Sequence, residues 1–202
     1  MTWSKRAFDI FGVIGLIVLL WPFILLISVV ILLREGRPVL YLSERMRGPD
    51  EPFMLWKFRT MTQAASDSGV TGADKTGRIT PTGAWLRKRR LDELPQLWNI
   101  LKGDISFVGP RPPLRRYVEL FPELYADVLK SRPGVTGLAS LRFHAREESL
   151  LARCESADET DRVYRERCVP RKATLDLIYQ KNRNFCYDIS LIWETTTGIF
   201  RR

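Results

Sequence analysis

Apolar and polar positions divide the chain into two unequal parts. Residues 10–33, IFGVIGLIVLLWPFILLISVVILL, carry no formal charge. As one helix this run would reach about 36 Å, enough to cross the hydrocarbon core of a bilayer. Its length, and the lack of an A-x-A-like site after it, argue against a cleaved signal peptide. Two features compete with simple spanning. Pro22 falls in the middle, where it removes a backbone donor and crowds the preceding turn, so a kink or break is expected. Lys5 and Arg6 precede the run and Arg34 and Arg37 follow it, so the positive-inside tendency draws both ends to the cytoplasm. Two half-helices of about 18 Å meeting at Trp21-Pro22 would enter one leaflet and return, with Ser28 satisfying backbone groups near the break. The residues alone leave a spanning and a re-entrant helix both open. Asp9, at the membrane edge, is expected to pair with Lys5 or Arg6 and not to be catalytic.

After Gly36-Arg37-Pro38 the pattern becomes that of a soluble domain, which divides the chain into residues 1–35 and 36–202. Residues 39–42 and 53–58 read as two strands of a hairpin, joined by turn chemistry at 47–52. Residues 62–83 are rich in Gly, Ser, Thr and Asp without an apolar period, and predict a mobile loop that closes over a site. Its GVTGADKTG segment departs from G-x-x-x-x-G-K-S/T and follows no strand, so a Walker loop is rejected. A helix starting near Thr82 or Gly83 is expected to carry residues 84–91. A second helix over 95–101 begins on Pro95 and stops at Gly103. A strand over 104–108, helix over 114–131 interrupted at Pro122, and a glycine-bounded turn at 132–138 follow. Then come a helix at 146–154, a polar link at 155–161 and an amphipathic helix at 170–181, with Leu175, Ile178 and Tyr179 on one face. Residues 185–200 suit either the membrane interface or the core. The expected fold is α+β and helix-dominated: a membrane helix broken at proline, a small catalytic domain with a β-hairpin, and interfacial amphipathic helices.

Charge adds a partner class. A formal net charge of +9 over 202 residues points to something anionic: nucleic acid, a membrane surface or a phosphorylated substrate. Cys154, Cys168 and Cys186 are far apart and form no CxxC, and with the lone His144 they make no zinc site, so reduced thiols are expected. The densest chemistry lies between Trp85 and Pro112. Asp92 and Glu93 follow four consecutive cations, Arg87, Lys88, Arg89 and Arg90, and Gly109-Pro110-Arg111-Pro112 comes shortly afterwards. Adjacent helical side chains diverge by about 100°, so one carboxylate can attack while the other holds a metal or orients the first. A carboxylate is an established nucleophile at phosphorus, with Arg111, Lys57 and Arg90 as neutralising groups. A surface salt-bridge cluster explains the same spacing, and local sequence leaves both readings open.

The ordered motifs resemble the bacterial sugar transferases, the small monotopic phosphoglycosyl transferases. The resemblance rests on Lys5-Arg6-Ala7-Phe8-Asp9, the apolar run with its central proline, Ser43-Glu44-Arg45, and Lys57-Phe58-Arg59-Thr60-Met61. It continues through Leu86-Arg87-Lys88, Leu91-Asp92-Glu93-Leu94-Pro95-Gln96-Leu97, Asn99 and Lys102-Gly103-Asp104. Ser106-Phe107-Val108-Gly109-Pro110-Arg111-Pro112, Arg132-Pro133-Gly134-Val135-Thr136-Gly137-Leu138 and Asp188-Ile189 complete it. It implies transfer of a sugar 1-phosphate from a UDP-sugar to undecaprenyl phosphate with Mg²⁺, starting a bacterial surface glycan or glycoconjugate. It implies that Asp92 is the nucleophile, releasing UMP, with Glu93 beside it, and that both carboxylates are candidate metal ligands. Lys57, Arg59, Arg87, Arg90 and Arg111 are the candidate phosphate-binding residues. Pro22 would mark the break of a re-entrant helix at the cytosolic face of the inner membrane. The competing functions are an aspartyl-phosphate phosphatase and a membrane-tethered nucleic-acid binder, for which no binding motif is present. Residues 141–164 carry no motif naming a sugar, and His144 is expected to face solvent.

Overall fold

The computed structural model describes residues 3–62 and 77–200, with side chains to residue 198. Most of the expected loop at 62–83, and with it the closing role assigned to it, lies outside the described residues.

Helix α1, Trp3–Glu35, is helical throughout its 33 residues, with Pro22 inside it. The expected division into two half-helices is therefore not seen as an interruption of helical structure. Proline deletes a single bond from a ladder of about nine turns, and the turns on either side persist. The Ser28 hydroxyl bonds the Ile24 carbonyl at 2.7 Å, beyond the Val18 carbonyl that Pro22 leaves unpaired.

One stripe of α1 faces the rest of the chain. Asp9, Val13 and Ile31 are buried, and Leu16, Ile17, Ile24 and Ile27 pack beside them at helical spacing. The other faces leave Phe11, Val18, Leu19, Trp21, Phe23, Leu25, Leu26 and Leu33 exposed. Only 6% of the most apolar 18-residue window is buried, so length and composition suffice for a bilayer while protein covers little of the helix.

Both ends of α1 are bonded to the same domain. Lys5 Nζ donates to the Val108 carbonyl at 3.0 Å and the Tyr179 hydroxyl at 3.1 Å, and pairs with Asp188. Arg6 donates to the Ile100 and Leu101 carbonyls, both at 2.7 Å. With these cations engaged elsewhere, the Asp9 carboxylate accepts instead from Ser106 Oγ at 3.0 Å and the Phe107 N–H at 3.4 Å, which corrects the expected ion pair. At the other end Arg59 donates to the carbonyls of Glu35, Gly36 and Arg37.

The hairpin pairs β1, Leu40–Gly48, antiparallel with β2, Glu51–Phe58. The turn contracts to Pro49-Asp50, because pairing continues through Arg45↔Phe53, Met46↔Pro52 and Gly48↔Glu51. Pro52 lacks a donor, which an edge of a two-stranded sheet tolerates. Helix α2, Pro81–Lys88, is capped by Thr80, and α3, Gln96–Lys102, ends at Gly103 in the left-handed region. Phe53 and Leu55 of β2 pack with Leu97 and Ile100 of α3. Asn99, fully buried, stitches the two elements: its amide donates to the Met54 carbonyl at 2.8 Å and to Asp104 at 3.0 Å, and its oxygen accepts the Trp56 N–H at 3.0 Å.

Strand β3, Ser106–Val108, pairs in parallel with β4, Gly134–Thr136, where only a turn was expected. Glycine makes the approach possible. A Cβ on Gly109 would lie 2.1 Å from the Arg132 carbonyl oxygen, and one on Gly134 would lie 2.2 Å from the Gly109 nitrogen. Helices α4, Arg115–Leu120, and α5, Pro122–Val128, divide at the proline as expected. Helix α6, Leu138–Leu151, starts well before the expected residue 146, because Leu138, Ala139 and Phe143 already face the core. The expected polar link overlaps α7, Ala157–Val163. Its start carries a capping box: Ser156 Oγ accepts the Glu159 N–H at 3.1 Å, and Glu159 reaches back to the Glu155 N–H at 2.9 Å. A wider turn at Tyr164–Cys168 leads into α8, Val169–Asn182, followed by α9, Phe185–Phe200. On α9, Phe185, Ile189 and Trp193 form an exposed stripe at i, i+4, i+8, while Leu191 enters the core. The three cysteines are free.

The interlocked glycines give a direct test. Gly134→Ala is expected to destabilise by about 3 kcal/mol or more, since backbone must move to admit the Cβ. Gly15→Ala meets no atom within 4 Å and should leave the melting temperature unchanged or slightly raised. Thermal melts of the detergent-purified variants compare the two, and equal melting temperatures would refute the packing argument.

Candidate active site

The dyad lies where α2 gives way to α3. Arg90 adopts a left-handed backbone (φ 55°), and a single tight turn over Leu91–Glu93 follows. That conformation costs a residue with a Cβ about 1–2 kcal/mol. It folds the Arg90 guanidinium back onto Glu93, with Nε and Nη2 donating to Oε2 at 3.1 and 2.7 Å. The other oxygen, Oε1, accepts from Lys57 Nζ of β2 at 3.2 Å and Arg111 Nη2 at 3.1 Å. Glu93 thus joins cations from three separate segments, and its side chain is 9% exposed.

Asp92 is equally buried but differently served. Among the described residues its carboxylate has no hydrogen bond or ion pair, although the charges of Lys57, Arg87 and Arg111 reach it. Burial pushes its carboxyl above the ordinary range, and the Glu93 charge adds to the rise against those cations. Burial alone would also raise Glu93, but the summed attraction of Lys57, Arg111 and Arg90 holds it well below that range. Two neighbouring acids are driven apart: one held ionised by bound donors, the other raised and without a hydrogen bond or ion pair among the described residues. Such divergence is how acid chemistry is assigned to members of a pair.

The structure brings Lys57, Arg90, Arg111, Asp92 and Glu93 together. Arg87 lies close enough to act on Asp92 while its Nε donates to Thr60 Oγ1 at 2.7 Å. Arg59 stands apart: its guanidinium closes the end of α1 and has no contact with either acid among the described residues. Arg111 keeps 40% of its side chain exposed, held on a turn braced by the Gly134 N–H to Pro110 carbonyl bond of 2.8 Å.

Beyond Arg111 is a cluster that sequence reasoning missed. Lys172 Nζ donates to both oxygens of Glu147, at 2.9 and 3.0 Å, and to the Tyr164 hydroxyl at 3.3 Å. Glu147 and Tyr164 act electrostatically on Arg111. They come from α6, the wide turn and α8, so no local spacing announces them. His144 and Arg142 are exposed, and Arg142 pairs with Glu194.

Next to the dyad, Leu94 and Pro95 enter the lining of an apolar groove of about 270 Å³. Ile17, Ile24 and Ser28 of α1, Leu40, Trp56 and Phe58 of the hairpin, and Leu97 and Trp98 of α3 complete it. Charged chemistry and an apolar cleft built on the membrane-type helix share one edge.

Comparison with known proteins meets this geometry. The family description "Bacterial sugar transferase" matches residues 1–202. The chain belongs to the bacterial sugar transferase family. Among similar proteins, an uncharacterized sugar transferase, EpsL, of Bacillus subtilis is 42% identical over 137 residues, covering 68% of this chain and 67% of that one. The UDP-N-acetylgalactosamine-undecaprenyl-phosphate N-acetylgalactosaminephosphotransferase of Aeromonas hydrophila is 33% identical over 201 residues, covering 96% and 43%. The UDP-glucose:undecaprenyl-phosphate glucose-1-phosphate transferase of Klebsiella pneumoniae is 35% identical over 164 residues, covering 79% and 35%. The alignments thus span less than half of the length of the latter two transferases.

The depressed carboxyl of Glu93 carries a pH signature. A group whose folded-state pKa is lowered stabilises the fold above its unfolded value, near 4.5, and loses that contribution as pH falls through the folded value. Glu93→Gln is therefore expected to cost about 3 kcal/mol or more at pH 7. It should also flatten the acid-side fall in melting temperature between pH 4.5 and 3. Melts of both proteins across that range check this, and superimposable curves would remove Glu93 as the organising charge.

Proposed function

We infer that this protein transfers a sugar 1-phosphate from a UDP-sugar to undecaprenyl phosphate at the cytosolic face of the inner membrane, beginning assembly of a surface glycan. The observation that carries the reading is the unequal treatment of two adjacent acids beside an apolar groove. Asp92 is buried and has no partner among the described residues, and Glu93 is bound by three cations. The names of the family relatives support the substrate classes.

In the first step an Asp92 carboxylate oxygen attacks the phosphorus that bears the sugar. The new bond is Asp92 O–P, the bond broken is the bridging P–O, and UMP leaves with the electron pair. In the second step a phosphate oxygen of the acceptor attacks the same phosphorus, and the Asp92 carboxylate is released. Lys57 and Arg111 face the charge that builds on the phosphoryl oxygens, the type of fixed stabilisation that contributes most to such reactions. Glu93 keeps these cations in place. The groove, continuous with Leu94 and Pro95, suits the polyprenyl chain of an acceptor that cannot leave the bilayer.

Mg²⁺ fits as a site with one protein carboxylate. No group of three potential ligands occurs among the described residues, and both Glu93 oxygens already hold cations. A Mg²⁺ ion binds through one or two carboxylates together with substrate phosphates, so Asp92 is the residue that would touch it. When bound, it supplies charge neutralisation at the diphosphate.

A monotopic, re-entrant placement is supported by the bonding of both ends of α1 to one domain, Lys5 and Arg6 at the start and Glu35 to Arg37 at the finish. In a chain with Cys186→Ser, cysteines placed at Trp3→Cys and Arg37→Cys should react with a membrane-impermeant maleimide from the same face only. Labelling from opposite faces would establish spanning.

For the chemistry, Asp92→Asn is expected to abolish UMP release across a panel of UDP-sugars supplied with undecaprenyl phosphate, a loss of at least about a thousandfold, with folding and membrane association retained. Full turnover in the variant would sink the nucleophile, and release of free sugar phosphate instead of a lipid-linked product would make the protein a phosphatase.

A further inference from the structure

Among the described residues, five arginines have an Nε that is shielded from solvent and makes no hydrogen bond: Arg45, Arg59, Arg78, Arg116 and Arg165. Three of them use other guanidinium nitrogens, and in Arg165 the Nε itself lies 2.9 Å from an aspartate oxygen without hydrogen-bond geometry. Arg59 and Arg78 bond carbonyls, and Arg116 pairs with Asp161. Arg165 lies within ion-pair distance of the same aspartate. For Arg45 no hydrogen bond or ion pair is found among the described residues. Where an arginine serves the fold in this molecule it is recognisably bonded, as Arg6 is to the Ile100 and Leu101 carbonyls and Arg132 to that of Gly103.

The surroundings of Arg45 show which kind of partner it lacks. In the hairpin register Arg45 opposes Phe53, and Lys57 opposes Tyr41, an even number of residues away along each strand. Arg45 and Lys57 therefore project from the same face of the hairpin, the face that meets Glu93. Arg111 lies near enough to repel Arg45, and Tyr41, Tyr117 and Tyr164 are its other electrostatic neighbours. Glu93, already holding Lys57, Arg90 and Arg111, has no oxygen left for a fourth cation. Burial, with the repulsion of Arg111, lowers the guanidinium to about 10. Arg45 is half-buried, and its shielded Nε is a donor to which the fold supplies no acceptor among the described residues, an uncompensated cost. Lys57, Arg90, Arg111 and Arg45 share the two acids Asp92 and Glu93, and Glu147, which also acts on Arg111, is itself bound by Lys172, leaving surplus positive charge at the dyad. That surplus matches a phosphoryl group, which arginine grips through paired donors.

We propose that Arg45 is a phosphate-binding residue of this site, its guanidinium acquiring its missing acceptors from the phosphoryl oxygens of a bound substrate. The inference rests on the transfer reaction assigned above and deepens it. The phosphate is either the diphosphate of the nucleotide sugar or the terminal phosphate of the lipid acceptor, and the two stages of the reaction distinguish them.

The test compares Arg45→Met and Arg45→Lys with the unaltered protein in detergent or nanodiscs. Without ligand, Arg45→Met is expected to melt at the same temperature or higher, since it removes a half-buried cation that has no partner among the described residues. Inorganic pyrophosphate should raise the melting temperature of the unaltered protein and leave that of Arg45→Met unmoved. Overall transfer should fall about ten- to a hundredfold in Arg45→Met, with Arg45→Lys in between. A raised KM for the UDP-sugar with slowed UMP release in the absence of acceptor assigns the diphosphate. Normal UMP release with slowed transfer to undecaprenyl phosphate assigns the acceptor. Unaltered kinetics with a full pyrophosphate shift in Arg45→Met overturn the proposal. So does a lowered melting temperature with turnover reduced only in proportion to the folded fraction. If the unaltered protein itself turned over no UDP-sugar, the function inferred above would fail, while the pyrophosphate shift would still decide whether Arg45 binds phosphate.

Discussion

The arrangement depends on one buried carboxylate. Among the described residues, Glu93 is the only acid bound by Lys57 from the hairpin, Arg90 from the end of α2 and Arg111 from the Gly-Pro-Arg-Pro turn. Each of these cations is costly to bury alone, and an ionised acid at their centre makes their convergence possible. The same saturation leaves Asp92, buried beside these cations, without a hydrogen bond or ion pair among the described residues. In the reaction inferred here, reactivity in one residue would follow from stability in its neighbour.

Supporting layers keep that convergence in register. Asn99 fixes β2, and hence Lys57, against α3, which begins beside the dyad. The contact of Gly109 with Gly134 fixes the turn that carries Arg111. Asp9 reaches from α1 to Ser106 and Phe107, so the apolar helix is bonded to the strand that leads into the same turn. The apolar helix and the acid pair are thereby parts of one framework. The proposed transfer, with one reactant confined to lipid and the other to water, would use that arrangement.

Much of this was legible along the chain. The apolar run, the helices around Pro95 and Pro122, the Gly103 stop and the acids at a helix junction all follow from local rules of backbone conformation and charge. The misses share a cause. Strand β4 is three residues long and pairs with a strand 28 positions away, so no period reveals it. Helix α6 starts early because tertiary burial outweighs a polar-looking sequence. Helix α7 was signalled by Ser156 and Glu159 as a capping box, within a stretch whose polarity suggested a link. Arg59 sat in a basic-aromatic cluster beside Lys57, yet two residues along an extended strand and its exit suffice to send one cation to α1 and the other to the dyad.

The sequence by itself determined that the protein has a bilayer-length apolar helix, a basic domain and an adjacent pair of acids among arginines, because composition, periodicity and motif order are local properties. Only the tertiary structure decided that both ends of α1 meet one domain and that, among the described residues, Glu93 is satisfied while Asp92 and Arg45 have no hydrogen-bond or ion-pair partner. Those outcomes depend on distances between segments far apart in the chain. A buried charge is stable or reactive according to what folding brings within about 3 Å of it.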